Sequence, residues 1–370
     1  MRFWFAASIS PTAYGGIHRS MNTLAAEMRH YGHTAKVYYA RTGKERFKYR
    51  FAVALAVKLF FGFWKRPHWI VARSTDGLLC AIIARIFRMK TRVALHNHGW
   101  EERVSQLERR LPAALVNNPT TWRARLIGFT FLRMTLAWSD LCVSGTINET
   151  KWLAVRYPRF RRKLTVIPNG VRNQHDSFWY RQTERPPSFL MAGAFTWKKN
   201  LEYGVEVFRR FLDIEPASRL FLVGSGPLPK LKKQLLMPLG DAVFTVESET
   251  PDKMWRWYET CPMLLFPSRY EGGRPFTVIE AQSRGCLVFA SDIPSVRECI
   301  THGLNGFVLS GVNPSADASL IASVYRNRDL CTAVARAAWR KSLRNRTQRQ
   351  GQRLIRIVLQ KTLKKPPPSR

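Results

Sequence analysis

The chain has 370 residues, of which 45% are hydrophobic and 12% aromatic, and 60 Lys+Arg against 25 Asp+Glu give it a formal charge of +35. This length suits two domains, and the composition excludes a disordered chain. The charge favours nucleic acid, anionic lipid or phosphorylated substrates as partners, or it forms a solvated basic surface; charge does not choose among these.

The cysteines and the apolar segments set further limits. No pair of the six cysteines has the spacing of a metal knuckle or redox motif, so we expect reduced, structural thiols in a cytosolic protein. The apolar run at residues 3–9 is shorter than the core of a signal peptide and predicts a first β-strand. No run reaches the roughly 18 apolar residues of a spanning helix.

Short apolar runs typical of strands recur through the first half of the chain. Between them lie helical patterns such as "MNTLAAEMRHYG", which places Leu24, Met28 and Tyr31 on one face and ends at Gly32. This alternation predicts a parallel sheet with helices on both faces. The predicted strands are Arg2–Ser8, Ala35–Tyr39, Trp69–Ala72, Arg92–His96, Leu141–Ser144 and Leu164–Ile167.

The alternation restarts after a polar segment rich in turn residues. The second set of predicted strands is Phe189–Ala192, Leu220–Val223, Val243–Val246, Met263–Phe266, Leu287–Ala290 and Gly306–Leu309. We therefore predict an α/β protein of two Rossmann-like domains that face each other across a cleft. The predicted parts are residues 1–170, a linker at 171–187, a second domain at 188–335, basic helices at 336–360 and a disordered tail at 361–370.

Glycine-rich or basic loops follow several of these strands. Gly15 and Gly16 precede a helix whose free N–H groups would hold an anion, or they form an ordinary strand–helix turn. "GSGP" at 224–227 lacks the third glycine of the dinucleotide-binding fingerprint, and a tight turn explains it as well as a binding loop does. In "GAFTWKKN", Lys198 and Lys199 would stabilise a departing diphosphate, or they are solvated turn lysines.

The stretch "EGGRPFTVIE" at 271–280 combines an anion site with two carboxylates. Pro275 is expected to open a helix carrying Phe276, Thr277 and Glu280. The N–H groups from Gly273 to Thr277 would hold a diphosphate, and Glu271 and Glu280 would accept hydrogen bonds from sugar and ribose hydroxyls. The alternative is an ordinary helix start with acids favoured by the macrodipole.

"LHNHGWEE" places two histidines at the end of a first-half strand. Either His96 or His98 could orient a hydroxyl, and the pair could bind a metal. Because no third ligand has convincing spacing, we expect no metal.

Taken together and in chain order, these stretches resemble the GT4 family of retaining glycosyltransferases, which have the GT-B fold. The resemblance is carried by "GGIHR", "AEMRHYGHTAKVY", "HNHGWEE", "CVSGTINET", "VIPNGV", "GAFTWKKN", "LVGSGP", "FPSRYEGGRPFTVIEAQSRG" and "SDIPSVRECITHGLNGF". It covers nearly the whole chain. It implies transfer of a sugar from a nucleotide donor, UDP- or GDP-linked, with no metal required.

The resemblance also implies roles for individual residues. Glu271 matches the acid beside the donor sugar, and Glu280 matches the acid on the ribose. Lys199 matches the lysine on the diphosphate, and His98, with His96 as the alternative, matches the histidine near the reaction centre. The donor-binding set is completed by Gly15, Gly16, Lys198, Gly272, Gly273, Arg274, Phe276 and Thr277, and residues 246–250 fall where the base is read.

The chain departs from the family pattern at two places. Eight residues separate Glu271 from Glu280, one more than is usual in the family. Ala194 stands where the family often has an arginine, so Lys198, Lys199 or Arg274 must supply the missing phosphate cation.

Two apolar segments with basic and aromatic residues favour contact with a membrane. Residues 44–69 and 122–138 have the composition of interfacial helices, or they are helices that cover the first sheet. We expect a cytoplasmic enzyme attached peripherally to anionic lipid. The resemblance implies that it transfers sugar to a glycan or lipid-linked acceptor of the cell envelope. The rivals are a GT-B epimerase and a basic nucleic-acid-binding protein, although no nucleic-acid module is recognisable.

Overall fold

A computed structural model describes residues 1–10, 15–40, 48–62, 65–97, 99–112, 122–172, 178, 186–224, 226, 229–247 and 249–363. The chain forms two compact units. The first comprises Met1–Leu107, Thr120–Gly170 and Thr347–Arg370, and the second comprises Glu108–Pro119 and Val171–Arg346. Each unit contains one six-stranded sheet.

The first sheet is parallel throughout, and all six strands predicted for it are confirmed. Its strands lie in the order β2-β1-β3-β4-β5-β6. They are β1 Arg2–Ala7, β2 Thr34–Tyr39, β3 Trp69–Arg73, β4 Arg92–Asn97, β5 Leu141–Ser144 and β6 Leu164–Val166.

Helices cover both faces of this sheet because its strands are apolar on both sides. They are α1 Gly16–His30, α2 Lys48–Phe61, α3 Leu78–Ile86, α4 Glu101–Glu108, α5 Trp122–Trp138 and α6 Ile147–Arg156. On β1, Phe3 and Phe5 share a buried cluster with Met28 of α1, whereas Trp4 packs in a second cluster with Leu59 of α2. The predicted apolar face of α1 is confirmed for Leu24 and Met28, which are fully buried.

The second sheet is also parallel, and its six predicted strands are confirmed. Its order is β12-β11-β10-β7-β8-β9. The strands are β7 Ser188–Ala192, β8 Arg219–Val223, β9 Val243–Val246, β10 Met263–Phe266, β11 Leu287–Ser291 and β12 Phe307–Leu309. Two parallel sheets with helices on both faces are the architecture expected of a GT-B chain.

The helices of the second unit divide between the two faces of its sheet. They are α7 Leu201–Ile214, α8 Pro229–Leu236, α9 Pro251–Thr260, α10 Phe276–Ser283, α11 Pro294–Arg297, α12 Pro314–Arg326 and α13 Arg328–Leu343. One buried cluster joins α7, α12 and α13 to the sheet, and another joins α9, α10 and α11 to its opposite face.

The last helix, α14 Thr347–Leu363, belongs to the first unit. Its Leu354 and Val358 are buried in the same cluster as Phe3 and Phe5. The sequence predicted basic helices to 360 and a disordered tail from 361, but α14 continues to Leu363, and residues 364–370 lie outside the described residues.

The two segments with interfacial composition both form helices that cover the first sheet. Leu55 and Leu59 of α2 and Leu132 and Leu136 of α5 are buried. Within the described part of the chain, no helix is both long and apolar enough to cross a bilayer. All six cysteines are buried and free of disulfides.

Candidate functional site

The second sheet changes direction of winding between β7 and β10. The chain passes from β7 to β8 and β9 on one side, then crosses to β10 on the other side of β7. In open parallel sheets, ligands bind beyond the carboxyl ends of the strands at such a point. The loops that follow β7 and β10 flank it, and they carry Lys199 and Glu271.

These two side chains meet in an ion pair. Lys199 Nζ lies 2.5 Å from Glu271 Oε1, and the two side chains are 21% and 19% exposed. Ser268 Oγ donates a hydrogen bond of 3.0 Å to the same carboxylate oxygen, and Lys199 Nζ lies 5.0 Å from the centre of the Phe266 ring. The structure therefore brings together a cation and an acid that are 72 residues apart in sequence.

Arg269 holds the two loops together around this pair. Its backbone N–H donates to the Lys198 carbonyl over 2.8 Å, and its guanidinium donates to the Trp197 carbonyl over 3.1 Å. The same guanidinium lies 2.6 Å from a carboxylate oxygen of Glu202 on α7. Because Arg269 binds both the main chain and α7, the Lys199 loop is fixed relative to the Glu271 loop.

Glycines let the loops after β7 and β8 pack main chain to main chain. Gly193 and Gly224 have φ angles of +138° and +140°, which favour glycine. A Cβ on Gly224 would lie 2.0 Å from the Gly193 carbonyl oxygen, and one on Gly226 would lie 2.1 Å from that of Phe195. In the "GSGP" stretch, close packing against the loop after β7 therefore requires glycine at positions 224 and 226. Ser225 and Pro227 lie outside the described residues.

Helix α10 begins directly after the Glu271 loop. Pro275 precedes the first helical residue, Phe276, and no side chain caps this end of the helix. The N–H groups of the first turn, including that of Thr277, have no partner within the helix. Gly272 is buried, whereas Gly273, Phe276 and Thr277 are half-buried. Pro275 is thus the N-cap residue of the predicted helix.

The second acid, Glu280, lies one turn further along α10 and is 2% exposed. The Tyr258 hydroxyl of α9, itself buried, donates a hydrogen bond of 3.0 Å to Glu280 Oε2. A buried carboxylate needs such donors because burial without them is costly. The contact fixes where the carboxylate points.

Two cations proposed for the phosphates have other partners in this structure. Arg274 donates a hydrogen bond of 2.8 Å to Asn345 Oδ1, between α13 and α14. Lys198 Nζ lies 5.7 Å from the centres of the Trp197 and Tyr270 rings. Ala194 is exposed in the loop that contains Lys199.

The first sheet has its own change of winding, between β1 and β3. The loop after β1 leads to Gly15, the N-cap of α1, and to Gly16, and both glycines are exposed. A Cβ on Gly15 would meet no atom within 4 Å. The Ser8 N–H donates a hydrogen bond of 2.7 Å to Asp76 Oδ2, which joins the loops after β1 and β3.

Of the two histidines, the structure describes His96, at the carboxyl end of β4. It is 2% exposed, and burial lowers the pKa of its imidazole to about 4, so it is neutral near pH 7. His98 lies outside the described residues. Within the described part of the chain, no group of three or more His, Cys, Asp or Glu side chains is arranged to hold a metal.

The segment expected to contact the base starts at the carboxyl end of the outermost strand of the second sheet. Val246 ends β9, and Thr250 is the N-cap of α9. Ser248 lies outside the described residues.

Sequence analysis missed three residues that the structure places at these sites: Ser268, Tyr258 and Asp76. Ser268 is fully buried three residues before Glu271. A serine two residues after a buried strand, followed three residues later by an acid, is the signal that could have found it. Tyr258 and Asp76 carry no comparable local signal, because each contact bridges two different loops or helices.

Comparison with known proteins gives a family match in the second half of the chain. Residues 174–341 match the model of the family described as Glycosyl transferases group 1. The chain is 26% identical over 233 residues to a D-inositol 3-phosphate glycosyltransferase of Geodermatophilus obscurus, covering 58% of this chain and 51% of that protein. The first curated relatives that it matches are covered over 33% to 51% of their length.

Two further matches concern a polysaccharide protein and a solved structure. The Vi polysaccharide biosynthesis protein VipC/TviE of Salmonella typhi is 30% identical over 176 residues, covering 44% of this chain and 30% of that protein. Anabaena Alr3699/HepE in complex with UDP-glucose has a TM-score of 0.73 and 14% identity, covering 97% of this chain and 100% of that chain. At that identity the likeness shows the fold alone, which is the GT-B fold of two Rossmann-like domains.

Proposed function

We propose that this protein is a retaining glycosyltransferase of the GT4 type that binds a nucleotide sugar through its second unit. The observation that carries the proposal is the meeting of Lys199 and Glu271 at the change of winding of the second sheet. An ammonium suits a diphosphate, and a carboxylate suits sugar hydroxyls. The proposal is a hexosyl transfer from a UDP- or GDP-linked donor.

The ion pair holds both groups ready for the donor. A partly exposed pair is weakly bound, so a diphosphate can replace Glu271 as the partner of Lys199. Glu271 is then released toward the hydroxyls of the donor sugar, while Ser268 keeps its orientation. The N–H groups at the start of α10, which have no partner within the helix, add a second contact for the diphosphate.

As the bond from the anomeric carbon to the diphosphate breaks, charge develops on the leaving group, and Lys199 stabilises it. The acceptor hydroxyl attacks from the same face of the sugar and passes its proton to the departing diphosphate oxygen, so the anomeric configuration is retained. Glu280, oriented by Tyr258, holds the ribose. In this proposal the first unit binds the acceptor, with Gly15 and Gly16 near the phosphates and His98 or His96 near the reaction centre, and no metal takes part.

The acceptor that we propose is a hydroxyl of a glycan or lipid-linked glycan in cell-envelope polysaccharide synthesis. The similarity to a Vi polysaccharide biosynthesis protein supports this class of acceptor. We place the reaction at the cytoplasmic face of a membrane, with the protein attached peripherally.

A donor screen tests the transferase proposal. Purified protein is incubated with UDP-, GDP- and ADP-sugars, with and without membrane extract, and released nucleoside diphosphate is measured. We expect release from one donor, reduced about a hundredfold or more in Lys199→Ala and Glu271→Gln. Glu206→Gln, which disrupts a surface ion pair on α7 instead, is the matched control and should keep full activity.

Other results would favour the rivals. Conversion of one free sugar nucleotide into another, without transfer, would indicate an epimerase. Strong salt-dependent binding of polyanions, with no selectivity among sugar nucleotides and no turnover, would indicate a nucleic-acid-binding protein. Equal activity of Glu271→Gln and the wild type would remove Glu271 from the site.

A further inference from the structure

One side of α2 exposes apolar side chains along its whole length. Tyr49, Val53, Val57 and Phe61 follow one another at intervals of four residues, which places them along one stripe of a helix. They are 64%, 49%, 48% and 76% exposed. This stripe lies outside the packing of the first sheet, because the buried residues of the helix are Leu55, Ala56 and Leu59.

The end of α3 extends this stripe. The rings of Phe60 and Phe87 lie 4.9 Å apart, which brings the carboxyl ends of α2 and α3 into contact. Ile86 and Phe87 are 62% and 55% exposed. We call the six exposed residues the apolar face: Tyr49, Val53, Val57, Phe61, Ile86 and Phe87.

Basic side chains lie on and beside the two helices that carry the apolar face. Residues 48–92 contain ten Lys and Arg and one acid, Asp76, which is buried. The exposed bases on and beside the two helices are Arg50, Lys58, Lys65, Arg85, Arg88 and Lys90. Arg88 directly follows Phe87 at the end of α3. Its φ angle is +47°, which is uncommon for a residue other than glycine or asparagine.

We propose that the apolar face and its bases dock on a bilayer that contains anionic phospholipid. Aromatic and aliphatic side chains would enter the boundary between headgroups and acyl chains, and the bases would pair with lipid phosphates. A second copy of the chain fits less well, because a symmetric contact would bring two strongly basic faces together. The proposal specifies the surface for the peripheral attachment proposed above.

Sedimentation with vesicles tests the docking surface. The full-length protein is mixed with vesicles of phosphatidylcholine alone or of equal parts phosphatidylcholine and phosphatidylglycerol, at low and at physiological salt. We expect binding to the anionic vesicles, weakened by salt. The Arg85→Gln/Arg88→Gln variant should lower the partition coefficient about thirtyfold, and Phe61→Ser/Ile86→Ser about tenfold.

Matched controls carry the same changes elsewhere. Arg159→Gln/Arg161→Gln removes two exposed charges after α6, and Val155→Ser and Val312→Ser remove apolar side chains that are 83% and 84% exposed. These variants should bind as the wild type does. Equal losses in control and face variants, or equal binding to both kinds of vesicle, would overturn the proposal. So would a dimer, seen by ultracentrifugation, that the face variants dissociate.

The measurement is independent of the transferase proposal, since no sugar nucleotide is present. Donor turnover without membranes should be unchanged in the face variants, so either proposal can fail while the other stands. Circular dichroism checks that each variant is folded, and the charge variant remains informative if the apolar variant does not fold.

Discussion

At the scale of single residues, the site consists of carboxylates whose directions are set by neighbouring hydroxyls. Ser268 donates to Glu271, and Tyr258 donates to Glu280. In each case the hydroxyl is on a buried residue, so its own orientation is restricted by packing. Orientation of an acid by a neighbour matters for binding because hydrogen bonds depend on direction.

The Tyr258 contact leads to a prediction about ribose recognition. In Tyr258→Phe, Glu280 loses a donor, so affinity for the cognate nucleoside diphosphate should fall about tenfold. The 2′,3′-dideoxy analogue offers no ribose hydroxyl to Glu280 and should bind equally to both proteins. Titration calorimetry measures the binding of each of the two ligands to the wild type and to Tyr258→Phe.

Tyr203→Phe is the control for the comparison between the wild type and Tyr258→Phe. The Tyr203 hydroxyl also binds a carboxylate in the second unit, donating to Asp317 Oδ2 over 2.6 Å, but this acid is not one assigned to the donor. If Tyr258→Phe weakens the ribose and dideoxy forms alike, Tyr258 has a structural role only.

At the scale of elements, the twelve strands of the described residues could be predicted from apolar runs. The inner strands of parallel sheets are buried and continuously apolar, and the less buried edge strands β2, β6 and β9 still contain apolar residues. The order of the strands within each sheet could not be predicted, since local patterns do not specify which strands pair. Consequently, the sequence proposed Lys199 and Glu271 separately for one site, but their contact depends on β7 lying beside β10. The glycines of "GSGP" likewise pack against the loop after β7, and no local pattern in the sequence indicates this contact.

Close packing of these loops predicts the effect of a methyl group at Gly224. Gly224→Ala requires a φ of +140° and overlaps the Gly193 carbonyl, so the loop that contains Lys199 must move. We expect the second unit to lose roughly 2–4 kcal/mol of its free energy of unfolding. Denaturant titration followed by second-unit probes measures the loss.

Gly303→Ala separates strain from overlap. Gly303 also has a positive φ, +75°, but a Cβ there would meet no atom within 4 Å. Its variant should lose only about 1 kcal/mol. Equal losses in the two variants would show that backbone strain alone, rather than contact between the loops, makes glycine necessary at position 224.

At the scale of the whole molecule, the first unit is built from segments that are separated in sequence by the second unit. The final helix, α14, packs on the first sheet although the residues of the second unit precede it. The sequence indicated basic helices at this end of the chain, but their basic composition does not identify the core that they join. The first unit is therefore completed by α14, which follows the second unit in sequence.

This arrangement predicts that a substitution near the carboxyl end loosens the amino-terminal strand. Leu354→Ala removes a side chain that is 1% exposed in the cluster of Phe3 and Phe5, so it should cost the first unit about 2–5 kcal/mol. Hydrogen exchange should quicken in β1 and α1 and stay unchanged in β7 and β10. Leu363→Ala, at a position on the same helix that is 81% exposed, should change neither. Faster exchange in both sheets of Leu354→Ala would instead mean that the two units unfold as one, and unchanged exchange would mean that α14 does not contribute to the stability of the first core.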